Sequence, residues 1–395
     1  MGRRVEGSIY YYAPNKIAPV FFTVLFFSSG IIHFYQTARY RSWRTTALMP
    51  WASLLLTVGF ALREVGAFNY IYSPRNLDIY IAESVMIMSG PPVYAAINYI
   101  VLSRILFYVP YLSPIHPGRV LTTFLAADAV CEVLIINGVQ RIANSRFSEA
   151  SRKLGGDLTK AGLILQAILF LLFVLLAAVF QRRAQRAQVL TPSLKTTLTV
   201  LYVSCTIVTA RCIYRIVEFF EWGNGPLAHS EVYFWIFEAS IMFINTAMLN
   251  IWHPGKRLPR SNHTFLAKDG KTELLGPGWE DKRPFLVTFF DPFDIAGLIM
   301  GKDNKTKFWD MDPEELARLN GERERKKREK LAKPRGAFAR VLDLGHLFGH
   351  GGWFIKMANK LEQKEVGRDE EARGVEIGKV SVDGKKPTHI EEVVG

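Results

Sequence analysis

Seven apolar windows fill most of the first 252 residues, each close to the roughly 20 helical residues that a bilayer crossing needs. They run Ile17–Tyr35, Ala47–Ala67, Ile79–Leu102, Val120–Gly138, Gly162–Phe180, Thr197–Phe219 and Val232–Trp252. In hydrocarbon every backbone polar group must be satisfied internally, so windows of this length read as helices. The chain is therefore expected to be an all-α membrane protein with seven transmembrane helices. The fifth window is the most hydrophobic, and the third carries Gly90-Pro91-Pro92 near its middle. Proline removes a backbone donor and clashes with the preceding turn, so a kink is expected there.

Charge divides the chain near His253. Of the net charge of +13, residues 1–255 hold +9, from 21 basic and 12 acidic residues. That excess flanks apolar windows, where it sets topology, so it does not point to a nucleic acid partner. Arg39, Arg41 and Arg44 fall in the first connection, Arg104 and Arg119 in the third, and Arg182, Arg183, Arg186 and Lys195 in the fifth. The sixth connection has neither Lys nor Arg, and the second has only Arg75. This bias predicts an exoplasmic N-terminus over residues 1–16, a membrane domain over 17–252 and a cytosolic tail over 253–395. The fourth connection, with Arg141, Arg146, Arg152, Lys153 and Lys160, runs against the bias and is outvoted by the others. No cleavable leader is expected, because no early apolar core precedes a small-residue cleavage site. Cys131, Cys205 and Cys212 all lie inside predicted spans, and three cysteines so placed suggest no disulfide framework or metal cluster.

The windows are not uniformly apolar. Arg211, Arg215 and Glu218 interrupt the sixth and Glu238 the seventh, where each charge at bilayer centre costs roughly 3 kcal/mol. At 100° per residue Arg211, Arg215 and Glu218 share one helix face. Glu64, Glu83, Asp128 and Glu132 join them in the exoplasmic half, and acids outnumber the bases Arg63, Arg211 and Arg215. A polar cavity with surplus carboxylate would suit a cationic head group. The same groups could also pair among themselves and hold helices in register, and the residues alone leave both options open. Arg215 is expected to reach Glu238 first and Asp128 second, because a planar guanidinium holds two acceptors while staying charged.

With these residues named, the chain resembles the fungal lipid-translocating exporter family, seven-helix proteins associated with resistance to aminocholesterol and sphingoid bases. Its Arg-x-x-Tyr-Arg-x-x-Glu hallmark is similar to Arg211, Tyr214, Arg215 and Glu218, followed by Gly223 and Gly225. Glu231 and Glu238 resemble its next pair of acids, the second usually Asp, and His253-Pro254-Gly255 its closing motif. Further matches are Pro91 or Pro92 with Ala95, Ala96, Tyr99 and Arg104, then Tyr12, Pro14 and His33, then Asp128, and Gly162-Leu163 with Gln166. The chain departs at Ile135, where the family has Gln. The resemblance spans about residues 8–258 and implies a multi-pass protein, most simply of the plasma membrane, that exports or translocates amphipathic lipids. Membrane lipids are then its partners, and the expected substrate path is Glu64, Glu83, Asp128, Glu132, Arg211, Tyr214, Arg215, Glu218, Glu231 and Glu238.

Other chemistries leave little trace. No Gly-x-x-x-x-Gly-Lys-Ser/Thr phosphate cradle occurs, the seventh window has no Lys for a Schiff base, and no Gly-x-Ser-x-Gly elbow is present. His346 and His350 are spaced i, i+4 but lack companions for a metal sphere. The expectation is a transporter without cofactor, metal or catalytic residues. The alternative is a seven-helix lipid-sensing or stress-sensing receptor that signals through its tail. In that tail Asp312-Pro313-Glu314-Glu315 starts a helix over about residues 313–332, ending in a basic run suited to an anionic leaflet or simply to solvent. Residues 285–300 are too interrupted to span, 336–357 suit a membrane surface, and the chain after Lys364 has a disordered composition. Removing residues 305–395 is expected to leave the membrane domain folded.

Overall fold

A computed structural model describes residues 7–10, 12–143, 147–221, 226–259, 261–279, 287, 291 and 308–332. Seven helices in it are long and apolar enough to cross a membrane. They are α1 (Ala18–Arg39), α2 (Leu48–Phe68), α3 (Pro74–Tyr108), α4 (Pro117–Ala143), α5 (Glu149–Arg186), α6 (Pro192–Phe220) and α7. The last is composite: α-helical over Glu231–Phe234, π-helical over Trp235–Ser240 and α-helical again over Ile241–Ile251. Local chemistry sets several starts. Pro74 and Pro192 follow Ser73 and Thr191, whose side chains accept from the amides of Asn76 and Leu194. Ser148 caps α5 by accepting from Ser151 N. Pro91 and Pro92 lie inside the continuous α3.

Connections fall at two ends of the bundle. At one, Ser8 bridges to Ile71, and the Asn15 amide donates to Glu231 at 2.8 Å. At the other, Ser193 Oγ donates to the Arg257 carbonyl at 3.2 Å, and Gly255 lies against Ser42. The N-terminal segment thus shares an end with the even connections, and the segment after α7 shares one with the odd connections. Outward faces such as Phe21, Val24, Phe27 and Ile31 on α1 and Leu171, Leu172 and Leu175 on α5 are exposed, as lipid-facing side chains must be.

Two packing devices position the helices. Phe22, Phe26, Phe60 and Trp235 stack between α1, α2 and α7, with Phe22 and Trp235 rings 5.3 Å apart and inclined by 8°. Between α4 and α5 the contact is backbone to backbone. A Cβ on Gly138 would lie 2.5 Å from the Gly155 carbonyl, and one on Gly162 would lie 3.1 Å from the Cys131 carbonyl. Small residues let membrane helices approach this closely. With 38 residues, α5 is about 57 Å long, so its first turns stand well beyond its apolar window.

The described residues past α7 carry local structure. Thr264–Leu266 (β1) and Glu273–Leu275 (β2) form an antiparallel hairpin. Its turn uses Gly270 at φ +70° and Asp269, whose carboxylate accepts from the Thr272 hydroxyl and from the Lys271 and Thr272 amides, bonds that in this order hold it down to about 2. Tyr108 donates to Glu273 at 2.8 Å and Tyr111 to the Ala267 carbonyl at 3.0 Å, which ties the hairpin to the end of α3. Phe265 packs with Phe308 and Leu316, the latter in helix α8 (Pro313–Ala332). Truncation at residue 305 would remove Phe308 and Leu316 from against Phe265, contacts made within the segment after α7 and not with the membrane helices. Gly223, Gly225, His346, His350 and the stretches 336–357 and 365–395 lie outside the described residues, as does almost all of 285–300.

The hairpin provides a test of orientation. Asn262 in Asn262-His-Thr264 sits at the end of the odd connections, and Asn304-Lys-Thr306 is a second sequon outside the described residues. If that end is cytosolic, both asparagines stay unmodified in cells, and a mass shift on glycosidase treatment would reverse the topology.

Candidate functional site

One face of α6 presents Arg211, Arg215 and Glu218 together, and the π-helical segment of α7 brings Glu238 against it. Glu238 accepts from Arg211 Nε at 3.0 Å on both carboxylate oxygens, from Arg211 Nη2 at 2.8 Å and from Arg215 Nε at 2.7 Å. Arg211 and Glu238 are 2% and 1% exposed, so this charge-assisted clamp forms in a dry core, where its Coulomb energy is little screened. Arg215 turns its other end toward the surface, where Nη1 donates to Glu218 at 2.8 Å. Tyr214 also donates to Glu218, at 3.3 Å. A π-turn inserted into an α-helix re-aims the side chains around it, and such turns gather at functional sites.

A second network, centred on Arg63 of α2, adjoins the first through Phe234. Arg63 Nη1 donates to Glu83 at 2.6 Å, and Nη2 donates to Tyr12 at 3.0 Å and Glu231 at 3.1 Å. The guanidinium lies 4.0 Å from the Phe234 ring centroid, and the Arg215 guanidinium 6.0 Å from the same ring. Tyr10 donates to the other oxygen of Glu83. Burial, and then the Glu83 charge, push the Tyr10 phenol well above its ordinary range, and burial does the same to Tyr12. Both stay neutral hydrogen-bond donors.

These networks form the inner wall of a cavity of about 810 Å³ at the N-terminal end of the bundle, lined by Tyr10, Tyr12, Arg63, Glu83, Arg215 and Glu218. Apolar lining comes from Ile87, Met88, Val139, Ile142 and Phe219. The start of α5 supplies the remaining charges, Glu149, Arg152, Lys153, Asp157 and Lys160. Of the ten residues expected on the path, Glu83, Arg215 and Glu218 line this cavity, while Arg211, Tyr214, Glu231 and Glu238 stand behind it as hydrogen-bonded support.

The other three stand apart. Asp128 accepts from Gln166 of α5 at 3.2 Å and is not the second partner of Arg215, whose second carboxylate is Glu218. Glu132 keeps Oε1 buried without a hydrogen-bond partner, and so does Glu64 with Oε2. Among the described residues Glu64 forms no ion pair with either arginine network, and one residue of helix turns it about 100° away from Arg63. The residues expected on the path did not include Arg63, Tyr10 or Tyr12. A signal for Arg63 was present: it lies three, four and seven residues after Phe60, Gly59 and Leu56, all on the buried face of α2. The acidic surplus also needs correction, since the lining of the cavity holds five bases and four acids. The three bases of α5 belong to the connection that contradicted the charge bias. A further buried polar set lies toward the opposite end: Tyr94 bonded to Thr246, Asn98 bonded to Ser204 at 3.0 Å, Asn245 with no side-chain partner, and His33 6.2 Å from His253.

Comparison with known proteins gives consistent results. A family model described as RTA1 like protein matches residues 49–261, which contain α3 to α7 and all but the first residue of α2. The Lipid-translocating exporter-like protein RTA1 of Leptosphaeria maculans is 38% identical over 76% of this chain, which covers 61% of that relative. A protein of the same name in Ajellomyces capsulatus is 32% identical over 63% of this chain and 83% of its own length. The Probable lipid transporter atnI of Emericella nidulans is 23% identical over 66% of this chain and 70% of its own. No solved structure matches.

Proposed function

The chain belongs to the RTA1-like protein family, and on that premise we propose that it translocates amphipathic lipids across the membrane it spans. The substrates in this reading are sphingoid bases and other cationic amphiphiles, their export contributes to resistance, and the chain performs no chemistry on them. Its membrane is the plasma membrane, with the N-terminus outside. Two relatives bear the name lipid-translocating exporter-like protein and a third that of a probable lipid transporter, and these names support the general role.

The observation that carries the finer reading is the position of Glu218. Its carboxylate is half-buried on the cavity wall, held from behind by Arg215 and Tyr214, while Glu238 neutralises Arg215 from the core. A carboxylate offers about four acceptor sites. Two are occupied here, so an ammonium can be received without breaking the support. The tail of the lipid can lie along the apolar lining, as a pocket with few convergent polar groups requires.

Purified protein in proteoliposomes should move labelled sphingoid base between leaflets. Glu218→Gln should keep the fold, because the amide still accepts from Arg215, and should lower that flux about tenfold, as loss of one charge-assisted bond does. Wild-type vesicles without flux would favour the receptor alternative. Undiminished flux in the variant would remove Glu218 from the path.

A further inference from the structure

The cavity's outer wall carries chemistry that an amine alone leaves unused. The turns of α5 ahead of its apolar window place Arg152, Lys153 and Lys160 on one face, with Glu149 and Asp157 between them. Arg152 and Lys153 are exposed, and neither forms an ion pair with a described residue. Lys160 stands 4.9 Å from the Phe220 ring centroid, where α6 ends. A purely cationic head group reaching Glu218 would pass a wall that holds three bases against two acids, with Arg152 and Lys153 unpaired among the described residues. A phosphate would be drawn by the same charges, and arginine and lysine are the side chains that hold phosphate best.

We infer that the cavity receives a lipid whose head group carries both charges, a phosphate held by Arg152, Lys153 and Lys160 and an ammonium held by Glu218 with Asp157. This refines the translocation reading and rests on it. The apolar lining of the cavity argues for a lipid over a soluble aminophosphate, which would leave that surface uncovered.

The test uses the full chain in detergent and three lipids of equal chain length: a sphingoid base, its phosphate monoester and a lysophosphatidic acid. Phosphoethanolamine serves as the soluble aminophosphate. The phosphate monoester of the base should bind about tenfold more tightly than either lipid whose head group has charge of one sign only, the gain of one further charge-assisted contact. In Arg152→Glu/Lys153→Glu, and more mildly in Arg152→Gln/Lys153→Gln, the affinity ratio of monoester to base should fall to about one. These side chains are exposed, so the variants should elute like wild type on size exclusion. An unchanged ratio in a folded variant, a wild-type preference for the base, or equal binding of phosphoethanolamine would overturn the inference. The translocation reading stands or falls separately, on flux of the base in wild-type vesicles.

Discussion

Glu238→Ala is expected to be the most damaging single substitution in the membrane domain, costing about 3–5 kcal/mol, as removal of one partner from a buried ion pair does. Glu238 is the one described carboxylate within ion-pair distance of Arg211, and it supplies one of the two that hold Arg215. Its loss leaves Arg211 charged and buried. Thermal unfolding in detergent should show a midpoint lower by on the order of 10 °C. A midpoint within a degree or two of wild type would show that the clamp contributes little to the fold. Replacing all three charges together, as Arg211→Met/Arg215→Met/Glu238→Leu, should recover most of the stability, because apolar groups of similar volume carry no desolvation penalty. The triple variant should still fail to transport, since Glu218 then loses the base that orients it. Recovery of both properties would make the network a packing device only.

The second large effect is expected at Gly138. Its Cβ would lie 2.1 Å from Thr159 Oγ1 and 2.5 Å from the Gly155 carbonyl, so even alanine forces α4 and α5 apart. Overpacking of this kind costs about 1–3 kcal/mol, and a β-branched Gly138→Val should reach the upper end. Separation of the two helices also moves Arg152 and Lys153 away from Val139 and Ile142, so lipid binding should weaken alongside stability. Gly321 in α8 provides the contrast: nothing lies within 4 Å of its Cβ position, and Gly321→Ala should stabilise by about 0.5–1 kcal/mol. If differential scanning shows both alanine variants equally stable, the close approach of α4 and α5 is not what holds them.

How much of this was legible in the chain varies by element. The seven windows lie within or close to the seven helices, because apolarity sums residue by residue along a segment that faces lipid. The helix ends were less legible. The α5 helix starts at Glu149, well before its window, and α3 reaches Tyr108, six residues past its window. Bundle contacts also held the hairpin after α7, which composition assigned to a solvated tail. In the site, the sixth-helix face with Arg211, Arg215 and Glu218 was readable from a period of 3.6, and so was the pairing of Arg215 with Glu238. Glu64 and Arg63 show the limit. Adjacent in sequence and each bearing one charge, they differ in that only Arg63 reaches ion-pair partners among the described residues.

What the amino-acid order determined by itself is therefore local and additive: the number of crossings, the end of the bundle each connection occupies, and the presence of charges too costly to face lipid. Apart from the Arg215–Glu238 pair, only the tertiary structure decided which charges meet. That Glu238 takes two arginines, that Arg63 holds Glu83 and Glu231, and that α5 brings a basic arc to the cavity depend on the rotation and spacing of helices distant in sequence. Those are set by the Gly138–Gly155 contact, the stacked Phe22, Phe60 and Trp235, and the π-turn in α7. None has a sequence period, because each is a fit between surfaces, whose energy exists only once both are in place.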